Sequence, residues 1–137
     1  MNAEQIMQER FGCDKLISVA TFVDNVPSVR AVNAYYQDGC FYVVTYALSG
    51  KMQQLAVNSR VGVCGEWFSG HGVGENLGYV LKAENSEIMR TLRAAFASWY
   101  DNGHVDESDE NVCLLRIRLT DGVLFKDGQR YVFSAEE

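Results

Sequence analysis

Three Asp-Gly pairs, Asp38-Gly39, Asp121-Gly122 and Asp127-Gly128, stand between runs of β-branched and aromatic residues. Such pairs tolerate the positive φ of the primed turns that join adjacent antiparallel strands. Close strands joined this way favour a small antiparallel barrel over a parallel sheet, whose crossovers need helices. The first hairpin is the most explicit. A strand over Ser28–Gln37 carries Val29, Ala31, Asn33 and Tyr35 on one face, turns at Asp38-Gly39 and returns as Cys40–Tyr46.

The remaining strands are read at Leu16–Val23, Arg60–Phe68, Val73–Leu81, Asn111–Thr120, Val123–Lys126 and Arg130–Phe133. Leu16–Val23 is apolar almost throughout, as for a strand packed on both sides. Pro27 stands where its missing N–H does least harm. Ser69-Gly70-His71-Gly72 and Asp121-Gly122 are read as turns. Gly74 and Gly78 interrupt a strand, which fits either a close ligand or tight strand packing. A short helix over 2–11 turns Ile6 and Met7 inward and ends at Gly12. A second, Gly50–Asn58, places Met52, Leu55 and Ala56 on one face and ends on Asn58 as a left-handed cap. The longest, Asn85–Tyr100, is capped by Asn85 or Ser86. It carries an apolar stripe of Ile88, Met89, Leu92, Ala95, Phe96 and Trp99. The expectation is a mainly β domain with helices (α+β), a single unit over 1–137.

The chain's 137 residues suit one domain, and 47% apolar with 22% charged residues describe a globular protein. The net charge of −6 argues against a nucleic-acid backbone as partner. Cys13, Cys40, Cys64 and Cys113 form no CxxC pair and no zinc spacing, so no metal is expected. The last three fall in apolar runs and read as core thiols of a reducing cytosol. The acidic segment 106–111 lacks the spacing of a calcium loop and reads as solvated. A polar N-terminus without a leader, and no apolar run of ~20 residues, give a cytoplasmic expectation with no membrane contact.

Chemistry concentrates where the first hairpin meets the second helix. Thr45 and Ser49 bring hydroxyls, Gly50 allows close backbone approach, and Lys51 adds a charge at a helix start. Arg30 lies on the neighbouring strand. A helix N-terminus with a lysine and a guanidinium makes an anion cradle suited to phosphate. The same residues also read as an N-cap, Ser49, with two solvated surface charges. No Walker or GxGxxG motif decides between them.

Arg30-Ala31-Val32-Asn33, then Thr45, then Ser49-Gly50-Lys51 resemble the flavin-binding core of the pyridoxamine 5′-phosphate oxidase-like family, the FMN-binding split β-barrels. The resemblance continues through Asn58-Ser59-Arg60-Val61-Gly62-Val63, Trp67-Phe68-Ser69-Gly70-His71-Gly72, Gly78 and Cys113-Leu114-Leu115-Arg116-Ile117. It thus spans about Leu16 to Phe133. It implies a six-stranded antiparallel split β-barrel flanked by helices, and a homodimer with FMN at the subunit interface. By the same resemblance Arg30, Ser49 and Lys51 hold the phosphate, and the backbone of Ala31, Val32 and Asn33 follows the ring edge. Thr45 lies near the ring or ribityl chain. Trp67, His71 and the Glu75-Asn76 pair face the partner subunit's flavin.

The true pyridoxamine phosphate oxidases carry a terminal segment with tryptophan and arginine that holds their substrate. This chain ends in Ser134-Ala135-Glu136-Glu137. The expectation is therefore an FMN-dependent oxidoreductase acting on another small molecule, with NADH, NADPH or oxygen as redox partner. A non-catalytic flavin-, haem- or deazaflavin-binding module is the alternative, and a barrel without cofactor a third. No catalytic acid or base stands out.

Overall fold

Antiparallel pairing dominates the computed structural model, which describes residues 1–135. The elements in chain order are α1 (Ala3–Phe11), β1 (Lys15–Val23), β2 (Val26–Gln37), β3 (Cys40–Tyr46), α2 (Gly50–Val57), β4 (Arg60–Gly65), β5 (Phe68–Tyr79), α3 (Ser86–Ala95), β6 (Val112–Lys126) and β7 (Gln129–Ser134). The sheet order is β3-β2-β1-β4-β5-β6-β7, and β3 also pairs with β6. Six strands therefore close into a barrel, with β7 as an outer strand on β6.

Alternation fills the barrel. Ile17 and Val19 of β1, Phe41 and Val43 of β3, Val61 and Val63 of β4, and Leu115, Ile117 and Leu119 of β6 are buried together. Residues Ile6, Met7 and Phe11 of α1 and Met52 and Leu55 of α2 join them. Each large apolar side chain so buried contributes about 1.5–3 kcal/mol. A second cluster forms outside the barrel, where Met89, Leu92 and Phe96 cover Leu114, Val112 and Val80. The helical stripe read from the sequence is this contact.

The structure corrects several boundaries. The β4–β5 turn is at Glu66-Trp67, with Trp67 at φ 50°, and residues 69–72 lie within β5. Arg10 fastens that turn, Nη1 donating to the carbonyls of Glu66 and Trp67 at 3.1 and 3.3 Å. The glycines there serve packing: a Cβ on Gly70 would stand 2.4 Å from the Asp121 carbonyl oxygen. Asp121-Gly122 does not turn the chain either, because β6 continues to Lys126. His71 pairs with Asp121 and Gly72 with Leu119, so Thr120 is an extra residue that bends the strand. The other two Asp-Gly pairs are the expected turns, with φ of 50° and 83° at Asp38-Gly39 and 51° and 76° at Asp127-Gly128.

The long helix ends early, at Ala95, after a 3-10 turn at Ala83–Asn85. Trp99 leaves the helical path and its Nε1 donates to Asp14 Oδ2 at 2.9 Å. Asn85 occupies the cap position without capping; its Nδ2 donates to the carbonyls of Leu77 and Tyr79. Asn58 is extended rather than left-handed, at φ −140°, and Ala56 faces outward. The β1 strand is buried on one face alone, since Leu16 and Phe22 are exposed. Of the four cysteines only Cys113 is buried; Cys40 is half-buried, and Cys13 and Cys64 are exposed. Glu136 and Glu137, which close the C-terminal stretch read above, lie outside the described residues. Among the described residues no helix is long and apolar enough to cross a membrane.

Candidate functional site: a cationic barrel end

Strand β2 pairs with β1 from Val26 to Ala34, but with β3 only over Tyr35–Gln37. Beyond that, Val43–Tyr46 of β3 pair with β6 alone. The two strands of the first hairpin diverge and split the barrel wall. Alternate residues of an antiparallel strand turn N–H and C=O to opposite sides, so the unpaired edge of β2 presents hydrogen-bonding groups to the split.

Arg30 lies on β2 in phase with the buried Ala34 and Tyr36, so its side chain turns inward at the barrel end. Its Nη1 donates to Thr21 Oγ1 at 2.9 Å and to the Val19 carbonyl at 3.2 Å, and its Nη2 donates to Gln54 Oε1 at 3.1 Å. Thr21 Oγ1 in turn donates to the same Gln54 oxygen. Because an arginine offers only donors, this acceptor must be the amide oxygen. Lys51, in the first turn of α2, is 8% exposed, and its Nζ donates to Thr45 Oγ1 at 2.6 Å. A solvated surface lysine is thereby ruled out. Ser49 is the N-cap of α2, its Oγ accepting from the Met52 N–H at 3.3 Å. Above Gly50 a Cβ would meet nothing within 4 Å.

The acceptors around these cations are hydroxyls, carbonyls and one amide. Among the described residues no carboxylate lies within ion-pair distance of Arg30 or Lys51, although Arg10, Arg93 and Arg116 all have such partners. Burial lowers the Lys51 pKa, and the neighbouring Arg30 charge lowers it further; burial also lowers that of Arg30. The barrel end thus holds two like charges, partly desolvated and, among the described residues, unpaired with any carboxylate.

The other residues singled out from the sequence are placed differently. Ala31 faces outward, Val32 packs against the core, and Asn33 donates through Nδ2 to Asp14 Oδ1 at 2.9 Å. Trp67 is exposed beside Arg10 and Phe125, at the barrel end that α1 covers, opposite the Arg30–Lys51 end. His71 stands on the outer face, its Nδ1 2.9 Å from Asp121 Oδ1. It borders a hollow of ≈ 720 Å³ that Phe22, Pro27, Arg60 and Thr120 also line. Glu75 is paired with Arg116 and Arg118, and Asn76 Oδ1 accepts from the Gly78 N–H. One chain therefore brings Arg30, Thr45, Ser49 and Lys51 together and leaves Trp67 and His71 apart from them.

Thr21 and Gln54 complete the cluster and were not singled out from the sequence. The signal was present. Thr21 is the polar position in the inward phase of β1, after Ile17 and Val19. Gln54 follows Lys51 by three residues, on the same face of α2.

No protein-family model matches the chain, and no curated protein matches it. Solved structures do. General Stress Protein 26 from Bacillus anthracis superposes with a TM-score of 0.71 at 14% identity, over 97% of this chain and 100% of that one. A pyridoxamine 5′-phosphate oxidase-related, FMN-binding protein from Nostoc punctiforme gives 0.57 at 12% identity, over 90% and 87%. A haem-binding protein from Mycobacterium smegmatis gives 0.63 at 13% identity, over 89% of this chain and 53% of that one. At such identities the likeness shows the fold: this chain has the split-barrel fold of the pyridoxamine 5′-phosphate oxidase-like proteins.

Proposed function

We propose that this protein binds FMN through its phosphate at the Arg30–Lys51 barrel end and acts as a flavin-dependent oxidoreductase on a small molecule. The observation that carries the reading is the pair of partly desolvated cations without a carboxylate. A phosphate dianion supplies the missing charge, and both cations have N–H donors to offer it. Ser49 and Thr45 add hydroxyls at the edge of the same site. The unpaired edge of β2 over Ala31–Asn33 supplies backbone donors and acceptors suited to the edge of a heteroaromatic ring. Bound FMN would supply the redox chemistry; the chain's residues would hold and orient it.

A homodimer accompanies this reading. The outer face of β1 and β2 exposes Leu16, Phe22 and Val29, apolar side chains that a second copy would cover. Trp67 and His71, apart from the cations within one chain, would reach the flavin across that interface. The small-molecule substrate would enter beside them, with NADH or NADPH as electron donor. A flavin-binding module without turnover is the second reading, because among the described residues no acid–base pair stands beside the cations. Haem is less well served: both histidines, His71 of β5 and His104, are exposed to solvent.

The test is titration of the purified protein with FMN and riboflavin, then addition of NADH or NADPH. Saturable FMN binding with a clear preference over riboflavin supports the phosphate assignment. Bleaching of the bound flavin by a nicotinamide nucleotide, followed by turnover, separates the enzyme from the binder.

A further inference from the structure

Among the described residues, Gln54 is the one side chain hydrogen-bonded to both Arg30 and the buried Thr21. Its Oε1 accepts from Arg30 Nη2 at 3.1 Å and from Thr21 Oγ1, and Thr21 Oγ1 accepts from Arg30 Nη1 at 2.9 Å. These three groups form a closed triangle that fixes the guanidinium plane. A part-buried arginine is ordinarily held in this way by a carboxylate, which would fix the plane equally well and cancel the charge. Here the holding group is a neutral amide. It orients Arg30 and leaves the charge unspent.

We propose that Gln54 is a positioning and specificity-determining residue: it holds Arg30 in place while preserving the net positive charge that selects a phosphate-bearing ligand. A glutamate of nearly identical shape at the same point of α2 would turn the hydrogen bond into an internal ion pair. The barrel end would then be satisfied within the chain. The carboxylate would also repel a phosphate brought to Lys51. Fold stability and anion binding therefore move in opposite directions on this one exchange. The inference rests on the phosphate reading above.

The experiment compares the parent, Gln54→Glu and Gln54→Met by thermal midpoint without ligand and by affinity for FMN and for riboflavin. Inorganic phosphate serves as a third probe, through its effect on the midpoint. The expected Gln54→Glu result is a midpoint at or above the parent's, with FMN affinity lower by about 10- to 100-fold, the scale of one charge-assisted contact. Riboflavin affinity stays unchanged and stabilisation by phosphate is lost. Gln54→Met, which keeps the bulk but cannot accept from Arg30, weakens FMN and spares riboflavin. It isolates the positioning role, because it adds no carboxylate to repel the phosphate. Retention of the parent's FMN preference by the folded Gln54→Glu, or by Gln54→Met in its place, overturns the role of Gln54 and leaves the phosphate site standing. A parent protein that binds FMN and riboflavin alike, and ignores phosphate, overturns both.

Discussion

Lys51 Nζ donates to Thr45 Oγ1 at 2.6 Å, and among the described residues no carboxylate lies within ion-pair distance of the ammonium. A hydroxyl holds the ammonium in place but cannot neutralise it. The chain thus keeps a partly desolvated charge beside Arg30, at a cost to its own stability.

That cost is measurable. Lys51→Met removes the charge and keeps the bulk, so the ligand-free protein is expected to melt at a higher temperature than the parent. The same variant loses about 1.5–3 kcal/mol of FMN binding, roughly ten- to a hundredfold. Differential scanning calorimetry and a fluorescence-quenching titration read the two effects. Lys51→Ala and Arg30→Ala are expected to weaken FMN similarly with the fold intact.

The pH dependence follows from the lowered Lys51 pKa. Between that value and the ordinary lysine value of 10.5, the unfolded chain holds a proton that the ligand-free folded chain has shed. Stability without ligand therefore gains from Lys51 as pH rises through this window, and has lost that gain below it. Binding runs the other way, because phosphate favours the protonated amine. FMN affinity is expected to rise as the phosphate reaches its dianion near pH ~6, and to fall as Lys51 deprotonates. Riboflavin titrated over the same range should lack both limbs.

Asp14 ties two distant elements, accepting from Asn33 Nδ2 and Trp99 Nε1, each at 2.9 Å. Asp14→Ala leaves both donors without this partner and is expected to cost about 1–3 kcal/mol. Urea unfolding measures the loss, and a shifted tryptophan emission reports release of the indole.

Strands β5 and β6 approach closely at Gly70, where a Cβ would stand 2.4 Å from the Asp121 carbonyl oxygen. Gly70→Ala is expected to destabilise by about 1–3 kcal/mol, as overpacking does. Gly39→Asn, at an open turn with φ 83°, should cost much less, since asparagine tolerates that region.

Much of this was legible in the sequence, for local reasons. The first hairpin and the α2 start follow from turn chemistry and an N-cap serine, and the stripe on α3 from its period. The turn at Glu66-Trp67 was not legible, because neither residue is a turn former and Arg10, far off in the chain, fastens it. Asp121-Gly122 misled because the pair stays in register with β5 inside a continuing strand, beside the bulge at Thr120. The outward phase of Cys64 depended on register, which apolar composition alone does not set. Within the site, Arg30 and Lys51 could be named from residue type. Their lack of a counter-charge could not, since it depends on which side chains tertiary packing brings to them.

Equilibrium titration of the purified parent protein with FMN and with riboflavin, followed by flavin fluorescence at neutral pH, tests the phosphate site itself. Saturation at one FMN per chain is expected, with an affinity for riboflavin lower by about ten- to a hundredfold or more. Equal affinities, or no binding of either flavin, would contradict the claim that the Arg30–Lys51 pair is a phosphate site.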